Sequence, residues 1–246
     1  MGIGGVSILM YHQVGDFAPM KSHRSTYCHY KSFSRQMHLL KALKFRVVDM
    51  DAILDHAKGK RHLPKRTVCL TFDDGYENFY QYAFPVLKRL GLCSTVFLLA
   101  GYIGKDSTWF REDGRDTPPL MTQERINTLM ESGLVTFGSH GVYHKRLGDL
   151  PEDAAHFEVF QSKKALEAMF KREFKHFCYP YGSYNRAVMK MVQEAGYHSA
   201  VSCARGAVLP GSHPYQLPRK AISYGDSLIG FLWKLLFKNR RKQPEL

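Results

Sequence analysis

The sequence predicts an α/β fold, a barrel of parallel strands ringed by helices, and three observations predict it. Apolar, β-branched runs alternate with helical patterns, glycines close several of the helical runs, and polar clusters stand at the ends of the apolar runs. In barrels of this kind the chemistry gathers on the loops that follow the strands, so the placing of the clusters supports the same fold.

The elements follow in order. Residues 6–11 read as a buried strand that runs into Tyr11-His12-Gln13. Residues 1–10 are apolar but lack a basic leader and a small-residue cleavage site, so a strand is expected there rather than a signal peptide. Further strands are expected at 67–72, 94–99, 135–138, 176–179 and 198–201. Helices are expected between them at 32–43, 80–90, 122–132, 151–170 and 185–195. Gly91, Gly133 and Gly196 follow three of these runs, where a left-handed cap is favoured. Residues 15–31 and 101–119 are polar and irregular, long enough to be lids over a substrate, although surface loops are the commoner occurrence.

Composition sets limits. With 246 residues, 44% hydrophobic and 23% charged, the chain is ordinary globular material, long enough for one large domain. No run approaches the roughly 20 apolar residues of a membrane span. The five cysteines are scattered, which argues against a disulfide framework or a zinc ribbon and makes the cytoplasm the default location. A net charge of +13 points to an anionic partner: nucleic acid, a membrane surface, or an anionic or lipid-linked glycan. Nucleic acid is not expected, because no familiar binding signature is present.

Three clusters carry the chemistry. Thr71-Phe72-Asp73-Asp74-Gly75 sets two carboxylates at the end of an apolar strand, where burial is expensive without a positive charge beside them. One can bind a metal while the other acts as a base; for the tripeptide alone a solvated turn is the commoner reading. Ser139-His140-Gly141-Val142-Tyr143-His144 places two histidines four apart, so a helical turn would bring both to one ion. The glutamate of a zincin motif is missing, Gly141 standing in its place. Pro180-Tyr181-Gly182 is a turn that can aim a backbone N–H into a pocket, or simply a turn.

In order and spacing the three clusters resemble the polysaccharide deacetylases, the carbohydrate esterase family with the chitooligosaccharide deacetylase homology domain. The resemblance runs from about Ile8 to about Ile222. It is nearest to the branch that opens on a Met-Tyr-His strand, here Met10-Tyr11-His12, and acts on exopolysaccharides such as poly-N-acetylglucosamine. Phe84-Pro85-Val86-Leu87, Ala195-Gly196-Tyr197 and Leu217-Pro218-Arg219 agree with that branch as well. The resemblance implies a distorted (β/α) barrel of about seven parallel strands in a single domain at 1–225, with a tail at 226–246. It implies hydrolysis of the N-acetyl group of an N-acetylated sugar or polysaccharide.

By the same resemblance Asp74, His140 and His144 bind a divalent metal, zinc being the first expectation and cobalt, nickel or iron acceptable to the same donors. That ion polarises the acetamide carbonyl and lowers the pKa of a water. Asp73 is then the general base, and the N–H of Tyr181 helps to hold the oxyanion. Pro180, Gly182 and Arg219 line the substrate side, and Leu217 is a candidate wall there, with core packing the commoner role. The late Leu-x-x-His motif of the common family type is absent, its region reading Tyr215-Gln216-Leu217-Pro218-Arg219, so His12 is expected to be the general acid. An arginine often precedes the Pro-x-Gly turn by two residues and steadies the base; Cys178 stands there, and Arg219 is expected to replace it. An aspartate-tryptophan motif of some relatives is not visible either.

Residues 227–242 differ in character. Leu228, Phe231, Leu232, Leu235 and Leu236 fall on one helical face, and Lys234, Lys238 and Arg241 share another. Such a helix either lies on an anionic membrane or packs on the barrel with a basic end. Two functional alternatives stay open beside deacetylation: deacylation or deformylation of a lipid-linked aminosugar, and carbohydrate binding without catalysis.

Overall fold

Seven parallel strands close into a ring because each apolar run is covered on both faces, by the barrel interior on one side and by helices on the other. This computed structural model describes residues 5–111, 114 and 116–240. In chain order the elements are β1 (Ser7–Tyr11), β2 (Gln13–Gly15), β3 (Tyr27–His29), α1 (Tyr30–Ala42), β4 (Arg46–Val48), α2 (Met50–Ala57) and β5 (Thr67–Phe72). They continue with α3 (Phe84–Leu90), β6 (Ser94–Leu98), α4 (Gln123–Glu131), β7 (Val135–Ser139), α5 (Glu152–Phe170) and β8 (His176–Cys178). α6 (Arg186–Glu194), β9 (Ser199–Arg205), β10 (Leu217–Ala221) and α7 (Leu228–Phe237) complete the chain.

The ring runs β1-β10-β9-β8-β7-β6-β5 and closes where β5 pairs with β1 along its length. β4 is an extra parallel strand that pairs with the first half of β5, Thr67 to Cys69, while β6 takes the second half at Thr71 and Phe72. β4, α2 and the short parallel pair β2–β3 were not foreseen as elements; at three residues each, these strands are too short to show a period.

The side-chain alternation decides what faces the site. Ile8, Cys69, Phe97, Cys178, Val201 and Leu217 belong to one interior cluster. Leu9, Tyr11, Val68, Leu70 and Phe72 belong to the larger cluster under α1, α3 and α4. Two residues beyond an inward position is inward again. His12, Asp73 and Arg219 are therefore in phase with Ile8, Cys69 and Leu217, and the interior ends in chemistry at its C-terminal rim. α7 is no detached tail: Phe231 and Leu235 are buried in the larger cluster, and the helix packs beside α1. Among the described residues no helix is long and apolar enough to cross a membrane.

Candidate active site

Asp73 and Asp74 leave β5 in different directions because the backbone turns over between them. Asp73 keeps the strand phase, its N–H bonded to the Tyr11 carbonyl at 3.0 Å. Asp74 and Gly75 then take φ of 73° and 76°, in the left-handed region. Asp tolerates that region better than most residues, and Gly75 is required doubly, since a Cβ there would lie 2.8 Å from a Leu98 methyl. Both carboxylates are buried at 2% exposure and yet face different partners.

Asp74 faces the histidines. Its Oδ1 lies 3.3 Å from His140 Nε2 and 3.4 Å from His144 Nε2. The pair does not sit on a helical turn as its spacing predicts: residues 140–144 form a loop, with φ of 84° at Gly141 and 56° at His144. Those two left-handed residues, and not a 3.6-residue period, bring the imidazoles together. His140 presents Nδ1 to the Cys178 carbonyl at 2.8 Å, so the Nδ1 proton is engaged there and Nε2 is the nitrogen that faces Asp74.

These three atoms fit a cation. Asp74 Oδ1 is buried without a hydrogen-bond partner, and its distances to the histidines exceed those of charged N–H···O bonds. A tetrahedral ion with ligands at about 2.0–2.1 Å has ligand–ligand edges of roughly 3.3–3.4 Å, the separations seen here. The electrostatics agree. Burial raises Asp74, but His144 and His140 beside it outweigh that and hold it well below the carboxylate range. Burial pushes His144 down to about 3, leaving a neutral imidazole. Burial also works against charge on His140, where Cys178 and Asp74 prevail and raise it, so one positive charge beside Asp74 is favoured. Asp73, His140 and Cys178 also lie close enough to hold a metal. That set does not suit one, because Arg219 already holds both oxygens of Asp73 and donates to Cys178 Sγ.

Asp73 is gripped by Arg219 through two bonds, Nη1 to Oδ1 at 2.7 Å and Nη2 to Oδ2 at 2.8 Å. The guanidinium's other donors reach the Ser202 carbonyl, Thr71 Oγ1 and Cys178 Sγ at 3.1, 3.2 and 3.1 Å. All five of its N–H groups thus find partners. Burial raises the Asp73 carboxyl, and the adjacent guanidinium overrides it and keeps the group below the usual range. Cys178 and Arg219 both point inward beside the same carboxylate, so a small residue at 178 leaves room for the arginine arriving from β10. His12 Nε2 stands 3.8 Å from Asp73 Oδ2, on the side open to solvent.

Other expected residues fall differently. Leu217 lies one inward layer below Arg219, fully buried in the interior cluster, and packs the barrel rather than lining the opening. Arg219 is likewise 1% exposed, so it meets Asp73 and presents no surface to a ligand. Pro180 is buried, while Tyr181, in a left-handed conformation, sets its ring 4.4 Å from His144. Gly182 approaches Cys203 so closely that a Cβ would meet it at 2.7 Å.

Two contributors were missed in the sequence. Trp109, from the 101–119 loop, places its ring 4.7 Å from His144 and makes an aromatic wall. With Tyr102, Tyr143, Tyr181, Lys145 and Arg146 it lines an open groove of about 610 Å³. A tryptophan in a loop rich in Gly, Pro and charge was the available signal. Glu158 of α5 is buried at 3% and accepts the N–H groups of Val142 and Tyr143 at 2.7 and 2.9 Å. It stands on the apolar stripe of Ala155, Val159, Ser162 and Leu166, where a carboxylate is out of place unless the backbone uses it. Its closeness to Gly141, where a Cβ would lie 3.0 Å away, explains the glycine. Glu158→Gln is expected to cost about 1.5–3 kcal/mol of stability, the range for hydrogen bonds to a charged group. It should also weaken divalent-cation binding about 10–100-fold, as loss of an outer partner does. Denaturant unfolding and zinc titration would check both.

Residues 60–200 match the family model described as polysaccharide deacetylase. YxkH of Bacillus subtilis, whose name places it in the same family, is 29% identical over 225 residues, 91% of this chain and 74% of that one. The poly-beta-1,6-N-acetyl-D-glucosamine N-deacetylase of Staphylococcus aureus is 27% identical over 199 residues, 78% of this chain. This chain spans 66% of that enzyme's length. The solved structure of IcaB from Ammonifex degensii superposes with a TM-score of 0.81 at 24% identity, covering 95% of this chain and 97% of that one, a likeness of fold.

Proposed function

The chain belongs to the polysaccharide deacetylase family, and from that premise we propose that it removes acetyl groups from an N-acetylated glucosamine polysaccharide. One observation carries the reading: Asp74 Oδ1 stands 3.3 and 3.4 Å from the Nε2 atoms of His140 and His144, beside a second carboxylate held ionised by Arg219. Family enzymes are metal-dependent, and these three residues would hold the ion, two imidazoles and a carboxylate suiting zinc first. A divalent cation there supplies Lewis acidity for the acyl carbonyl and makes water a better nucleophile at neutral pH.

The remaining work is done by side chains. Asp73 takes the proton of the attacking water; each of its oxygens accepts one guanidinium bond and keeps a second lone pair. As the C–N bond breaks the sugar amine must gain a proton, and the role of donor falls in this reading to His12, whose Nε2 is 3.8 Å from Asp73 and whose side chain is partly exposed. The Tyr181 N–H steadies the oxygen that becomes anionic. The products are acetate and a free amine. Trp109, Tyr181 and Tyr143 offer aromatic faces on which sugar rings can lie.

The test is acetate release from N-acetylglucosamine oligomers and from poly-N-acetylglucosamine, before and after metal is removed with a chelator. Release should vanish in stripped protein and return with zinc or cobalt. Metal-loaded, folded protein that binds the glycans but releases nothing would instead identify a carbohydrate-binding relative; formate released from a formylated aminosugar would identify a deformylase.

A further inference from the structure

α7 buries one face and exposes an apolar one. Phe231 and Leu235 point into the core, as does part of Leu232. Ile229, Trp233, Leu236 and Phe237 fall on the opposite stripe and are exposed by 82, 55, 49 and 63%. Of the face that the leucine pattern predicts, Phe231, Leu235 and part of Leu232 pack on the barrel, while Leu228 and Leu236 are exposed. A solvent-facing helix normally turns charge outward, and soluble monomers rarely display a contiguous apolar patch without a partner for it. Trp233 and Phe237 are in mutual contact, ring centres 4.4 Å apart, so the stripe is continuous.

What surrounds the stripe says which partner fits. α7 contains no carboxylate, and α1 beside it contains none either, while Lys31, Arg35, His38 and Lys41 of α1 are exposed. Arg35 and His38 border a shallow groove with Leu228. On the other flank Arg205, Lys234 and Lys238, each half-exposed, border a cavity of about 210 Å³; Lys234 is paired with Asp226, and Lys220 is buried there, its ammonium bonded to the Leu235 carbonyl and Asn239. Arg240 follows on the exposed C-terminal side, and Arg241, of the predicted basic face, lies outside the described residues. A protein partner would more often be met by an apolar core with a mixed polar rim. Exposed Trp, Phe and Ile framed by cations on both flanks match the acyl boundary and headgroups of an anionic bilayer.

We propose that α7 docks this protein in the plane of an anionic lipid surface, with Ile229, Trp233, Leu236 and Phe237 inserted at the headgroup boundary and Lys238 and Arg240 on the headgroups. The inference concerns a face separate from the catalytic groove and does not rest on the deacetylase reading. The experiment is co-sedimentation of metal-stripped full chain with vesicles of phosphatidylcholine alone and of an equal mixture with phosphatidylglycerol. Binding to the mixed vesicles alone is expected, with a blue shift of tryptophan emission that Trp233→Phe removes. Ile229→Ser/Trp233→Ser/Phe237→Ser should abolish binding. Lys238→Glu/Arg240→Glu should weaken it at least about tenfold, each cation near such a surface being worth roughly fivefold. The triple variant and Arg240→Glu change exposed side chains and Lys238→Glu a half-exposed one, so a melting temperature close to that of the wild type is expected and checks the fold. Failure of the wild type to bind mixed vesicles, or full binding by the triple variant, would overturn the proposal. So would a dimer in sedimentation velocity that the triple variant loses while vesicles are ignored, since the face would then belong to a second copy.

Discussion

Asp73→Asn is expected to lower kcat by about 10²–10⁴, the usual contribution of a general base, with bound metal unchanged. The asparagine oxygen cannot take up the proton of the attacking water. The separation of effects is what makes the result informative: Asp74, His140 and His144 are untouched, so metal content measured on the purified variant should equal that of the wild type. Asparagine also turns an NH₂ toward the guanidinium of Arg219, which costs stability, so turnover is to be compared below the variant's melting transition. A metal-loaded, folded variant that kept turnover within about tenfold of the wild type would remove Asp73 from the role of base.

Arg219→Met should have the largest effect on stability, about 3–5 kcal/mol at neutral pH, because it leaves a buried carboxylate uncompensated. The sign of its pH dependence follows from the direction of the Asp73 shift. In the wild type that carboxyl is held below its unfolded value, so its contribution is present above about pH 4 and is lost as pH falls through the folded pKa. Without the guanidinium, burial is opposed only by His12 and His140, and the pKa rises. The stability gap between variant and wild type should therefore narrow in acid, and the acid limb of kcat against pH should move upward. Arg219→Lys should recover little, since an ammonium has three donors where the site uses five. Denaturant unfolding at several pH values and a pH–rate profile check these outcomes. A limb that stays in place would show that Arg219 only packs.

Much of the barrel was legible because it is written in local periods. The strand at 67–72 and the helix at 151–170 announce themselves by continuous apolar runs and by 3.6-residue stripes, and their positions hold in the structure. Short strands such as β4 have no room for a period. The histidine pair shows the limit of spacing as an argument: four residues apart suits a helix, yet Gly141 and His144 use left-handed backbone to reach the same end. Left-handed residues other than glycine carry little mark in the sequence. Glu158 and Trp109 were overlooked for a related reason, since each acts across the fold on residues far from it in the chain.

The sequence by itself determined the parallel α/β class, the motifs that assign the family, and the strands that end at His12 and Asp73. These follow from alternation along single strands, a property of neighbouring residues. Only the tertiary structure decided that Arg219 closes on Asp73, 146 residues away, with Cys178 making the space, and that Leu217 packs beneath them. It alone decided which face of α7 is left in solvent. A helix with apolar residues on both sides can bury either one, and the choice belongs to the surface it meets.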